Sequence, residues 1–133
     1  MNEPSDVYGL SNLIYKDEAY DIISCCFEVH KTLGKGFLEG VYKDALAHEF
    51  KLKNIAFKRE QKFEVLYKDI VLPHYYCSDF IVYDKIVLEI KAQSDVIDQH
   101  YKQVINYLAV SKMKLGLLVN FGESSLKFKR IVL

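Results

Sequence analysis

Residues 75–92 read Tyr75-Tyr76-Cys77-Ser78-Asp79-Phe80-Ile81-Val82-Tyr83-Asp84-Lys85-Ile86-Val87-Leu88-Glu89-Ile90-Lys91-Ala92. Two apolar runs, 75–83 and 86–92, flank a polar break near Asp84, which is the pattern of two strands joined by a tight turn. Three charged residues, Asp79, Glu89 and Lys91, sit inside those runs. Acidic side chains form strands poorly and are costly to bury unpaired, so their place among apolar neighbours asks for a chemical reason. Glu89 and Lys91 are two apart and share one face of their strand. Asp79 joins that face only if the connection has odd parity. A three-residue loop, Tyr83-Asp84-Lys85, sets Asp79 opposite Glu89. A two-residue turn at Asp84-Lys85 sets it opposite Ile90 and sends its carboxylate to the other face.

Upstream, residues 57–67 alternate loosely and read as a half-buried strand, with Lys68-Asp69 as a hairpin turn. The return strand starts at Ile70-Val71-Leu72 and is interrupted by Pro73. Before these strands lie two helices. Ala19, Ile22, Ile23, Cys26, Phe27, His30 and Leu33 recur at steps of three and four, and Gly34 suits the helix end. A second helix is expected over 38–53. Downstream, Ser94 or Asp95 would cap a third helix over 96–111, with Ile97, Tyr101, Val104, Ile105 and Leu108 on its apolar face. Gly116-Leu117-Leu118-Val119-Asn120 reads as a central strand buried on both sides. The alternation from Leu126 to Val132 closes the chain with a last strand. Residues 1–15 have no clear period and read as a tail.

The chain's 133 residues predict a single domain. A hydrophobic fraction of 50% with 27% charged residues, six Gly and two Pro excludes global disorder and collagen-like classes. No apolar run approaches the ~18 residues of a membrane span, and the acidic start is not expected to be a signal peptide. Net charge is zero, so any nucleic-acid binding must come from a local patch rather than a basic coat. Lys35, Lys43, Lys62, Lys102, Lys112, Lys127, Lys129 and Arg130 either border the acidic cluster or scatter. Cys25, Cys26 and Cys77 lack zinc-site spacing and read as reduced thiols of a cytoplasmic protein.

If Asp79 and Glu89 meet, the pair offers oxygen ligands to a hard divalent cation such as Mg2+. Lys91 beside it would orient or help deprotonate a water, the logic of metal-assisted phosphodiester hydrolysis. The plainer reading is a cross-strand charge pair of Lys91 with Asp79 or Glu89 on a solvated face. His100, Gln103 and Tyr107 form one helical stripe that can contact phosphate or hold water, or can be only a solvated flank. Glu39 opens the second helix, where the dipole favours a carboxylate in any case.

Together these residues resemble a known family. Gly36-x-x-Glu39-x-x-Tyr42 is similar to the signature of the GxxExxY proteins, placed in the PD-(D/E)XK nuclease superfamily. The resemblance covers about residues 17–133. It is carried also by Leu33-Gly34-Lys35-Gly36-Phe37-Leu38-Glu39, Ser78-Asp79-Phe80, Leu88-Glu89-Ile90-Lys91-Ala92, Gln103 with Asn106-Tyr107-Leu108, Lys114 to Gly122, and Lys129-Arg130. Ser78 stands where the motif's name has proline. The resemblance implies an α/β (α+β) single domain over 16–133, a central mixed sheet flanked by helices with a restriction-endonuclease-like αβββαβ core. It implies that Asp79 and Glu89, with Glu39, hold Mg2+ (Mn2+ as a substitute), commonly completed by the Ile90 carbonyl, and that Lys91 is the motif lysine. Gln103 and Tyr107 match the Gln-x-x-x-Tyr helix motif of the RecB-like branch.

The expected function is therefore that of a Mg2+-dependent nuclease-like hydrolase cleaving phosphodiester bonds. Asp79, Glu89, Glu39 and Lys91 carry the chemistry, and Gln103, Tyr107 and His100 position the phosphate or the scaffold. The expected partner is nucleic acid, DNA ahead of RNA. A homodimer is an option, because many small nucleases of this superfamily dimerise to reach two strands. Two alternatives stand beside it: a non-catalytic binding or interaction module on the same fold, and a metal-dependent hydrolase of a small phosphate ester. Three carboxylates sharing a site repel one another, so raised pKa values are expected among them.

Overall fold

The computed structural model describes residues 13–96 and 98–133. The elements are α1 (Lys16–Leu33), α2 (Glu39–Leu52), β1 (Phe57–Tyr67), β2 (Ile70–Val82), β3 (Ile86–Lys91), α3 (Asp98–Ser111), β4 (Leu115–Asn120) and β5 (Lys127–Ile131). The strands form one five-stranded mixed sheet in the order β1-β2-β3-β4-β5. Only β3 and β4 run parallel, joined by the α3 crossover; the other neighbours are antiparallel. This is the expected α/β domain, with αβββαβ as its central run.

Strand alternation sorts the side chains into two layers. Phe80, Val82, Ile86, Leu88, Ile90, Leu115, Leu117 and Val119 pack with Ile22, Cys26, Leu46 and Phe50 of α1 and α2. Ile81, Val87 and Leu118 pack with Val104, Tyr107 and Leu108 of α3. The β3 and β4 strands are covered on both faces, which is why they read as continuous apolar runs. Gly116 lets α3 approach: a Cβ there would lie 2.5 Å from Val104 Cγ1.

Several expectations are corrected. β2 is not broken at Pro73 but runs unbroken over 13 residues. The β1–β2 register shifts between Glu64 and Leu66, beside Pro73, and a bulge is where a strand tolerates a residue without an N–H. Phe27 is exposed on α1, and the buried stripe instead includes Cys25 and Val29. His30 is buried with its Nε2 2.9 Å from the Glu123 carbonyl. Tyr107 belongs to the apolar face of α3, whereas Ile105 is turned outward. The α3 helix starts at Asp98, beyond Ser94 and Asp95. Ile97 and most of the expected tail, 1–12, lie outside the described residues.

Candidate active site

The β2–β3 connection is Tyr83-Asp84-Lys85, because Val82 pairs with Ile86. Tyr83 and Asp84 both take φ of 57°, in the left-handed region. The parity is odd, so Asp79 falls opposite Glu89 and both join Ile81 and Val87 on the α3 side of the sheet.

At Asp79 the backbone ladder stops and side chains take over. The Asp79 N–H donates to Glu89 Oε1 at 2.8 Å, and the Ile90 N–H donates to Asp79 Oδ2 at 2.8 Å. Each carboxylate therefore caps the other strand's backbone and holds the two strands together. Both are nearly buried, Asp79 at 8% and Glu89 at 2% exposure. Burial, then the charge of Asp79, pushes Glu89 up to about 8, which outweighs the opposing pull of the hydrogen bond from Asp79 and the charges of Lys91 and Lys43.

The cation that pairs with Asp79 comes from α2. Lys43 Nζ lies 2.8 Å from Asp79 Oδ1 and 3.6 Å from Glu39 Oε1. Burial works against its ammonium, but the hydrogen bond and charge of Asp79, with Glu39 and Glu60, more than offset this and raise its pKa above the ordinary lysine value. Glu39 thus approaches the carboxylate pair from the far side of Lys43. Among the described residues no three His, Cys, Asp or Glu side chains are grouped as a ready metal site.

The Gly36-x-x-Glu39-x-x-Tyr42 segment explains how α2 is aimed. Gly36 has φ of 114°, a conformation open to glycine. The Tyr42 hydroxyl donates to the Gly34 carbonyl at 2.6 Å and accepts from the Phe37 N–H at 3.2 Å. Its ring stacks on Phe121 with centroids 4.8 Å apart. The loop is thereby fastened to the core, and Glu39 and Lys43, one turn apart, project beside Asp79.

Lys91 is half-buried and has no ion-pair partner among the described residues. It lines a hollow of about 440 Å3 with Gln99, His100, Lys102, Gln103 and Asn106. Burial and then the Lys91 charge hold His100 below its ordinary pKa, with Glu39 pulling the other way. Tyr107 donates its hydroxyl to the Cys77 carbonyl at 2.9 Å and stands edge-on to Tyr76. Burial, then the charges of Glu89 and Asp79, raises its pKa, while a hydrogen bond with Gln103 acts in the opposite direction.

The geometry brings Asp79, Glu89, Lys43 and Glu39 together, with Lys91, His100 and Gln103 beside them and Tyr107 anchoring β2. The simple Lys91–Asp79 pair is absent, and Lys43, one of the basic residues expected either to border the acidic cluster or to scatter, borders it and pairs with Asp79 directly. Its signal was the i, i+4 spacing from Glu39. Of the remaining basic residues, only Lys102 borders the same hollow; Lys127 and Lys129 line another, and Arg130 donates to the Ile14 carbonyl at 2.6 Å.

The family profile of the PD-(D/E)XK nuclease superfamily matches residues 16–131. Among solved structures, the chain is similar to the one described as "Crystal structure of SSO0001", with a TM-score of 0.57 and 21% identity. The match covers 70% of this chain and 48% of that one, so the chain spans about half the length of that protein, and the likeness is one of fold. The comparison with curated proteins gives no match. With its profile match running from the first turn of α1 to the end of β5, around the hairpin that carries Asp79, Glu89 and Lys91, the chain belongs to the PD-(D/E)XK nuclease superfamily.

Proposed function

We propose that this domain is a Mg2+-dependent nuclease of the GxxExxY type that hydrolyses phosphodiester bonds in nucleic acid, DNA ahead of RNA. The observation that carries the reading is the Asp79–Glu89 pair, two nearly buried carboxylates on one sheet face with an ammonium already against the free oxygen of Asp79. The residues present fit a divalent cation: the donors are hard oxygens, two of them belong to nearly buried carboxylates on one sheet face, and Lys43 already sets a positive charge against Asp79. Asp79 and Glu89 would hold the ion, with Glu39 as the nearby third carboxylate. When bound, Mg2+ supplies Lewis acidity toward a phosphoryl oxygen and the attacking water.

The chain's own residues do the rest. Lys91 points positive charge at the phosphate or the nucleophile. Gln103 and His100 line the approach, and His100 is neutral near pH 7, able to accept or donate a hydrogen bond. Tyr107 positions Asp79 by holding β2 two residues away, at Cys77. No described helix is long and apolar enough to cross a membrane, and a cytoplasmic setting, with a homodimer as an option, completes the reading.

Incubating the protein with single- and double-stranded DNA and RNA, with and without Mg2+, tests it. Metal-dependent cleavage supports the proposal, and none on any substrate contradicts it. A second reading is favoured by the Lys43–Asp79 ion pair, which neutralises the site without metal: a non-catalytic module that keeps the fold. That reading predicts nucleic-acid binding without cleavage.

A further inference from the structure

Asp79 has two carboxylate oxygens with different occupations. Oδ2 is committed to the backbone of β3 through the Ile90 N–H. Oδ1 is taken by Lys43 Nζ at 2.8 Å, and the Lys43 side chain is only 17% exposed. The same ammonium reaches toward Glu39 Oε1 at 3.6 Å. It therefore lies between the carboxylates that any cation at this site would share. An ammonium and a divalent ion cannot occupy one carboxylate oxygen in the same direction, and their like charges repel at such separations. Lys43 sits on α2, whose first turn is fastened by Tyr42, so the helix is fixed and only the flexible stem of the lysine can move.

We propose that Lys43 is a tethered counter-ion that occupies the metal position at Asp79 Oδ1 and must swing away when a divalent cation binds. This inference rests on the metal-binding reading above. It assigns Lys43 a role apart from Lys91: Lys43 ties α2 to β2 at Asp79 in the metal-free protein and sets how much cation is needed to load the site. The freed ammonium has Glu39, one turn back on the same helix face, as its alternative partner. A competitor already bound weakens the apparent affinity of the ion by the factor with which it holds the oxygen.

The test measures Mn2+ affinity by calorimetry on the full chain. Lys43→Met removes the charge and keeps the stem, and Lys43→Arg keeps a cation. Asp79→Asn keeps an acceptor for the Ile90 N–H and removes the ligand charge. Lys43→Met should bind Mn2+ on the order of tenfold more tightly than wild type, the scale of one charged hydrogen bond, and Lys43→Arg should stay near wild type. Equal or weaker binding by Lys43→Met, with binding lost in Asp79→Asn, overturns the Lys43 assignment and leaves the metal site standing. No Mn2+ binding by wild type, or equal binding by Asp79→Asn, overturns both. If Lys43→Met does not fold, NMR of the Lys43 ammonium in the wild type decides. Its signal should move on saturation with Mg2+, and an unmoved signal overturns the proposal.

Discussion

Replacing Glu89 with Gln should stabilise the metal-free protein at pH 8 and leave it little changed at pH 5. The amide oxygen introduced by Glu89→Gln can still accept the Asp79 N–H, so the strand-to-strand bond survives and only the charge is removed. In the folded protein Glu89 is raised from 4.5 to about 8, by burial first and by Asp79 second. The native state thus holds a proton on Glu89 that the unfolded chain releases once the pH passes its ordinary value. Stability falls wherever the native state binds more protons. Glu89's contribution is therefore fully present below about pH 4.5 and is lost as the pH climbs towards about 8. A displacement of this size corresponds to on the order of 4 kcal/mol between those limits. For a domain of this length that is on the order of 10 °C in melting temperature. Thermal melts of wild type and Glu89→Gln from pH 5 to pH 9, with chelator present, check it. Curves that run parallel at every pH would refute the claim that burial and Asp79 hold Glu89 protonated.

Lys91→Ala should leave the metal-free melting temperature within about 2 °C of wild type, since Lys91 has no ion-pair partner among the described residues to lose. The same variant should lose two to three powers of ten in cleavage rate, roughly the worth of one preorganised charge. Tyr107→Phe should cost about 1 kcal/mol, the net value of the hydroxyl bond to Cys77, read by urea denaturation. Gly122→Ala should destabilise by about 3 kcal/mol or more, because a Cβ there would fall 2.2 Å from the Gln93 carbonyl oxygen, a backbone atom with no room to move; low soluble yield and an early urea midpoint are the expected signs.

Much of the fold was readable because its signals are local and periodic. The apolar run at Gly116–Asn120 fits a central strand and lies within the fully buried β4, and the stripe Ile22, Ile23, Cys26 marks the inner side of α1. The parity of the Asp79–Glu89 hairpin was readable only as a choice between two loops. The three-residue loop places Tyr83 and Asp84 at positive φ without a glycine to announce it. Pro73 interrupts the apolar pattern without ending the strand: it lies in the stretch of β2 between Val71 and Tyr75 that bulges against Val65, where its missing N–H is tolerated, and no residue type marks that bulge. Phe27 was placed inward by spacing, although it is exposed and meets Phe128 at the surface.

The candidate site divides along the same line. Glu89 and Lys91 share a face by strand alternation, which sequence spacing carries, whereas Asp79 joins them only through the three-residue connection that pairs Val82 with Ile86. Lys43 reaches Asp79 from a different layer, across 36 residues of chain, and nothing in the spacing of either segment encodes that distance. Tyr107 shows the opposite error. Helical spacing groups it with the polar stripe of His100 and Gln103, but its ring is buried edge-on to Tyr76 and its hydroxyl donates to the Cys77 carbonyl.

The central claim is that the Asp79–Glu89 pair is a catalytic metal site rather than a structural clasp between β2 and β3. Cleavage of a mixed panel of DNA and RNA by wild type, Asp79→Asn and Lys91→Ala, each with Mg2+ and with chelator, tests it most directly. The account predicts Mg2+-dependent cleavage by the wild type that both substitutions abolish while the protein stays folded. Absence of cleavage by the wild type, or cleavage that survives Asp79→Asn, would contradict it.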